Sequence, residues 1–196
     1  MITGVGAVMN AARVPPGAKI LVVGAGGVGL NVVQGAVLAS CETIIAVDTR
    51  ANPLDLARAF GATHTLDAST EKISGLVREL TDGRGADFVF DTVGSPQTLT
   101  FALESARKGG TVVLTGLSRT DALASIPVFP FVMQEKRLVG SLYGSGQPLT
   151  DIPKLVALHQ EGKLKLLELA SRTYRLGEVN EALSALGAGE GARGII

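Results

Sequence analysis

Between Lys19 and Glu42 the chain carries no charge for 22 residues, and five of those residues are glycines. A stretch of that length is either a membrane span or the centre of a folded core. The glycines, with Asn31 and Gln34 among them, favour the core. Ile20 to Val23 is apolar without alternation, the mark of a strand buried on both faces. Gly24, Gly26, Gly27 and Gly29 then form a turn. Val28 to Ser40 reads as a helix, with Leu30, Val33 and Val37 on one face.

The same alternation continues. Thr43 to Val47 is a second apolar strand. Asn52 and Pro53 suggest an N-cap and first-turn proline of a helix that Gly61 stops. His64 reads as the surface residue that starts the next strand. Ile73, Leu76, Val77 and Leu80 fall at i, i+3, i+4 and i+7, one face of a helix. "DGRG" turns into a strand from Phe88 to Phe90. "SPQTLTFALESARKGG" is a helix capped by Ser95, opened by Pro96 and stopped by Gly109, and "TVVLTG" is a further strand. Apolar strands alternating with helices imply a doubly wound parallel α/β sheet, a Rossmann fold. After Gly116 the rhythm breaks into a proline-rich stretch and a strand from Leu138 to Leu142. Two helices follow, one presenting Ile152, Leu155, Val156 and His159, the other Val179, Ala182, Leu183 and Leu186. The expected division is residues 1–143 for the sheet domain and 144–196 for a helical tail without βαβ rhythm.

Gly24, Gly26 and Gly29 make G-x-G-x-x-G between a strand and a helix, and Asp48 ends the next strand 19 residues after Gly29. In that context the first glycine permits the tight turn, the second lets a pyrophosphate approach the backbone, and the third lets helix pack on strand. The helix N-terminus attracts the anion. Asp48 can accept bonds from both hydroxyls of an adenosine ribose and would repel a 2′-phosphate, which favours NAD over NADP. Arg50 could offset part of that repulsion.

The remaining chemistry is sparse. Lys+Arg and Asp+Glu balance at 18 each, so no basic excess exists to hold nucleic acid or a membrane surface. An apolar content of 46% is high and hints at a partner surface. The single cysteine and the lack of a secretory signal pattern point to the cytoplasm. Cys41, His64 and His159 are the only soft ligands and show no metal spacing. Asp87 and Asp91 are better read as solvated or capping carboxylates than as a catalytic pair. No residue is assigned a catalytic or metal-binding role.

The motifs "TGVGAVMNAARVPPGAKILVVGAGGVGLNVVQGA", "IIAVDTR", "ARAFGATH", "DGRGADFVFDTVGS", "KGGTVVLTGL" and "GEGARGII", in this order, resemble the medium-chain dehydrogenase/reductase superfamily in its zinc-dependent alcohol dehydrogenase branch. The resemblance implies that Thr3 lies near the nicotinamide and that Val28 buttresses it, with Gly27 an extra glycine of the loop. Thr92, Val93 and Gly94 would line the groove. The backbone of Thr115, Gly116 and Leu117 would bond the carboxamide, with Leu142 and Tyr143 as further backbone contacts. Arg193 would reach the pyrophosphate. Family members carry their catalytic zinc and proton relay in a preceding domain, so the chain is expected to be the NAD-binding part of such an enzyme and inactive alone. The tail is expected to pack against that domain, and the Leu138–Tyr143 edge to form a homodimer. A stand-alone NAD-binding module and a zinc-free quinone or enoyl reductase remain alternatives. The small alcohol or carbonyl substrate stays open.

Overall fold

The computed structural model describes residues 1–69, 73–188 and 193–196. Six strands, β1 (Lys19–Val23), β2 (Thr43–Asp48), β3 (His64–Asp67), β4 (Ala86–Asp91), β5 (Ala106–Leu114) and β6 (Arg137–Gly140), form one sheet in the order β3-β2-β1-β4-β5-β6. Every pairing is parallel. The chain winds outward from β1, returns to β4 and winds the other way. The expected doubly wound sheet is therefore present, and its switch point is the crevice at the carboxyl ends of β1 and β4.

Five helices precede or cover β1 to β5: α1 (Ile2–Gly6), α2 (Gly27–Leu38), α3 (Ala51–Ala59), α4 (Ile73–Glu79) and α5 (Pro96–Ser105). Successive strand side chains point to opposite faces. Ile20 and Val22 accordingly join Leu30, Val33 and Ala57 in one core. Leu21 and Val23 join Ile73, Val77 and Leu103 in the other. Strands buried on both sides explain why the sequence shows continuous apolar runs.

Several expectations are corrected. α3 begins at Ala51 with Arg50 as N-cap, so Asn52 does not cap it and Pro53 lies at its third position. All first-turn N–H groups lack helical partners, so proline costs little there. α5 ends at Ser105 and runs straight into β5, so Gly109, at φ +69, is a bend within that strand and not a helix stop. Val37 is half-exposed and does not share the burial of Leu30 and Val33. Within the broken stretch a short helix, α6 (Val128–Met133), precedes β6, which ends at Gly140 rather than Leu142. The opening residues form α1 and a π-helical continuation, Ala7–Ala12, which the sequence did not suggest. They lie close against α2: a Cβ on Gly4 would stand 2.5 Å from the Val28 carbonyl oxygen.

The tail contains α7 (Pro148–Gln160) and then a small βαβ unit, contrary to expectation: β7 (Ala170–Thr173), α8 (Val179–Ala188) and β8 (Arg193–Ile195), with β7 and β8 parallel. Neither expected apolar helix face is buried. Ile152, Val156, Leu183 and Leu186 are exposed, and α8 buries Ala185 instead. The tail docks on the sheet domain through Leu164 and Leu169, both buried. The Lys165 N–H donates to Gln34 Oε1 at 2.6 Å, and Gln34 Nε2 donates back to the Lys165 carbonyl at 3.3 Å. No described helix is long and apolar enough to cross a membrane.

Candidate functional site

The three fingerprint glycines do separate jobs. Gly24 adopts φ +88, and a Cβ there would meet Thr92 Oγ1 and Val93 Cγ2 at 2.8 Å each. Gly29 lies so near β1 that a Cβ would overlap the Gly24 carbonyl oxygen. Gly26 is the opposite case, since a Cβ would meet nothing within 4 Å. Its open side is where a ligand can approach the backbone. Gly26 is also the N-cap of α2, and among the described residues no side chain bonds the helix's first N–H groups. Gly27 and Val28 occupy that first turn. An uncapped helix N-terminus facing open space fits a pyrophosphate.

Asp48 stands at the end of β2, its side chain 9% exposed. One oxygen accepts the Ala25 N–H at 2.9 Å, which ties the glycine loop to β2. The other accepts the Arg50 N–H at 3.1 Å and faces Arg50 Nε at 3.5 Å. The carboxylate therefore organises the loop as well as offering lone pairs to a ribose, and Arg50 folds back onto it.

On the far side of the crevice the turns after β4 and β5 meet. Thr92 Oγ1 donates to the carbonyls of Val23 and Gly24 at 2.9 and 3.0 Å. The N–H groups of Val93 and Gly94 donate to Asp91 Oδ1, each at 2.9 Å. Those of Thr115 and Gly116 donate to the Asp91 carbonyl at 2.9 and 3.0 Å. Gly94 and Gly116 touch backbone to backbone, and a Cβ on either would overlap the other turn. Of the two roles expected for Asp91, the structure shows capping, and the residue is fully buried. Thr115 and Gly116 spend their N–H groups on the Asp91 carbonyl, which leaves their carbonyls and the backbone of Leu117, a residue 84% exposed, to face a carboxamide. Sequence reasoning passed over Asp91 as a site residue, although both β2 and β4 end in aspartate after an apolar run.

Thr3 sits half-buried on α1, beside the Gly4–Val28 contact. Leu142 and Tyr143 follow β6 with exposed side chains. The next residue, Gly144, at φ +71, packs on Ile2 and Gly6. Asn10 Nδ2 holds that turn by donating to the Gly144 carbonyl at 3.3 Å and to Asp151 Oδ2 at 3.2 Å. The structure thus gathers Thr3, Val28, Leu142 and Tyr143 around the start of α1. Arg193 lies in exposed β8, its backbone paired with the Ser171 hydroxyl. Burial, and then the Arg193 charge, push the Met1 amine below its ordinary range, which places Arg193 near α1. The first four residues of "GEGARGII" lie outside the described residues.

Cys41 is half-buried, His64 starts β3 beside the Thr63 hydroxyl, and the His159 ring bonds the Leu164 carbonyl at 2.8 Å. Among the described residues no group of three or more His, Cys, Asp or Glu could hold a metal ion, so these residues do not fit a zinc site. A cavity of about 600 Å³ between α4, α5 and α6, lined by Arg78, Leu103, Phe131 and Lys136 among others, shares no residue with the glycine loop. A smaller one of about 200 Å³ lies behind the Gly94–Gly116 contact.

The family model described as zinc-binding dehydrogenase matches residues 27–161. An NDMA-dependent alcohol dehydrogenase of Amycolatopsis methanolica is 41% identical over 198 residues, which cover 99% of this chain and 53% of that protein. The crystal structure of benzyl alcohol dehydrogenase from Acinetobacter calcoaceticus superposes with a TM-score of 0.95 at 32% identity, over 98% of this chain and 53% of that one. A zinc-binding dehydrogenase of Sinorhizobium meliloti, solved bound to NADP, gives 0.83 at 27% identity over 93% of this chain and 53% of that one. The chain spans about half the length of the relatives it matches. Matched over more than half its length, it belongs to the zinc-binding dehydrogenase family, within the medium-chain dehydrogenase/reductase superfamily.

Proposed function

We propose that this chain is the NAD-binding half of a zinc-type alcohol dehydrogenase, which oxidises a small alcohol to a carbonyl compound or runs the reverse reaction. The observation that carries the reading is the open Gly26 floor at an uncapped helix N-terminus, with Asp48 beside it. NAD supplies the acceptor for the hydride that leaves the alcohol carbon. The chain's own part is to bind and orient. The α2 N-terminus would hold the pyrophosphate, with Arg193 reaching toward it, and Asp48 would hold the ribose. Thr3, Val28, Thr92, Val93, Gly94, Thr115, Gly116, Leu117, Leu142 and Tyr143 would frame the nicotinamide. Binding a cofactor without a contact special to the transition state does not accelerate chemistry, so the chain alone is expected to be inactive. Metal and proton relay would belong to the part of its relatives that it does not cover. The division at residues 143/144 and a cytoplasmic location belong to the same reading.

Titration calorimetry tests it. NAD should bind, and more tightly than NADP; a preference for NADP would refute the role given to Asp48. The Arg50–Asp48 contact and the NADP-bound relative favour a second reading, in which the discrimination is weak. We also infer a homodimer through β6, the outer strand of the sheet, with Phe129, Val132 and Met133 exposed on the preceding helix. Light scattering should give twice the chain mass, and a strict monomer at high concentration would refute the pairing.

A further inference from the structure

The aspartate at the end of β4 is buried at the switch point, yet nothing so far explains why it is charged. In register it stands beside Val23 of β1 and Leu114 of β5, directly under the crevice. Its Oδ1 accepts the Val93 and Gly94 N–H groups and its Oδ2 accepts the Thr98 hydroxyl at 2.9 Å. Thr98 is itself held in a capping box with Ser95. Among the described residues no cation pairs with this carboxylate. Neutral donors stabilise a buried charge without cancelling it. An asparagine could accept both N–H groups from the same place at lower desolvation cost. The charge therefore calls for a function beyond holding the turn.

We propose that Asp91 is a positioning residue for the nicotinamide end of the site. It locks together the two turns that frame the ring, and its buried negative charge favours the oxidised, positively charged ring over the neutral reduced one. The proposal rests on the dinucleotide reading above and deepens it. The side chain fixes Val93–Gly94, the carbonyl fixes Thr115–Gly116, and the Gly94–Gly116 contact joins the two turns. A ring placed against that wall loses its positive charge when it takes up hydride. A fixed negative charge beneath it must then stabilise the two redox forms unequally.

The test is calorimetry of the chain with ADP-ribose, NAD and NADH. ADP-ribose carries the adenosine and pyrophosphate but no nicotinamide. In Asp91→Asn, ADP-ribose affinity should stay within about twofold, while the ratio of NAD to NADH affinity falls about threefold to tenfold. Thr98→Val keeps the charge but breaks the network, so it should lower the melting temperature and leave that ratio within about twofold. An unchanged ratio in Asp91→Asn overturns the proposal, as does an equal shift in Thr98→Val. Loss of ADP-ribose binding in Asp91→Asn overturns it too, because the role would then be general to the fold. If the unmodified chain binds none of the three ligands, the dinucleotide reading itself falls and this proposal with it.

Discussion

The two ends of the parallel sheet use the same residue types in opposite ways. At the carboxyl end, Asp48 and Asp91 turn their carboxylates mainly on backbone N–H groups, with Arg50 folded back onto Asp48 and the Thr98 hydroxyl on Asp91, and hold loops in which Gly26 leaves the floor open. At the amino end, Asp82 and Asp87 face cations. Lys19 pairs with Asp82 at 2.6 Å and Glu42 at 3.4 Å, and Arg107 pairs with Asp87 at 2.5 Å. One end keeps polar backbone exposed for a ligand, and the other closes the sheet with side-chain charge. Carboxylate substitutions at the first end should therefore separate binding from stability, steric ones there should lose both together, and mutations at the second end should not touch binding.

The largest effect should come from Gly29. A methyl there overlaps a backbone oxygen, which cannot swing aside as a side chain could. Gly29→Ala should cost more than about 3 kcal/mol and abolish cofactor binding with it, read by urea denaturation and calorimetry. A variant that stays within 1 kcal/mol of the parent, an order-of-magnitude threshold, would show that the loop can move away from β1.

Asp87→Ala should come next. It strands the Lys19 N–H, which donates to Asp87 Oδ2 at 2.7 Å, and the Arg107 guanidinium. The expected loss is about 2 kcal/mol, with NAD affinity unchanged. Burial opposes the charge on Asp87, but the Lys19 N–H and Arg107 outweigh it and hold the carboxyl below its usual range. That stability is present above the ordinary carboxylate pKa of about 3.9 and lost as pH falls through the lower folded value. A change in NAD affinity in this variant would break the separation between the two ends.

Asp48→Asn should do the reverse. It retains an acceptor for Ala25 but gives up the exposed Arg50 contacts and the charged bonds to the ribose, so NAD affinity should drop about tenfold while the melting temperature falls only slightly. Equal losses of affinity and stability would mean that Asp48 serves mainly to brace the loop.

What could be read in the sequence follows the same physics. Strands buried on both faces must be apolar throughout, and Gly24 and Gly29 answer local steric demands, so the doubly wound sheet and the glycine turn between β1 and α2 were legible. α1 and its π-helical extension were not, because their packing depends on Gly4 meeting Val28 and Gly6 meeting Gly144, contacts distant in sequence. The βαβ unit of the tail was hidden for a related reason. β7 and β8 are four and three residues long, and their faces are mostly exposed, so no apolar period marks them. Asp91 was visible as a residue but not as a hub, since its partners lie on two separate turns.

The smallest effect concerns Cys41, at the amino end between α2 and β2. Burial, and then the Asp87 charge, push its thiol up to about 11. The folded chain therefore keeps this proton where an unfolded thiol, with a pKa of about 8.5, has lost it. The associated stability is full below about pH 8.5 and is lost as pH rises toward the folded value. Because the side chain is only half-buried, solvent screening reduces the effect to about 1 kcal/mol. Urea titrations from about pH 8 to 10.5 should show this decline in the parent chain and a flatter curve in Cys41→Ala. The thiolate is the reactive form, so at about pH 8 a thiol reagent should label Cys41 at least about tenfold more slowly than an unstructured peptide. Asp87→Ala should speed that labelling by removing the neighbouring charge, while Asp48→Asn, at the other end of the sheet, should leave it unchanged. Labelling at the peptide's rate in the parent chain would show that the amino end is not closed.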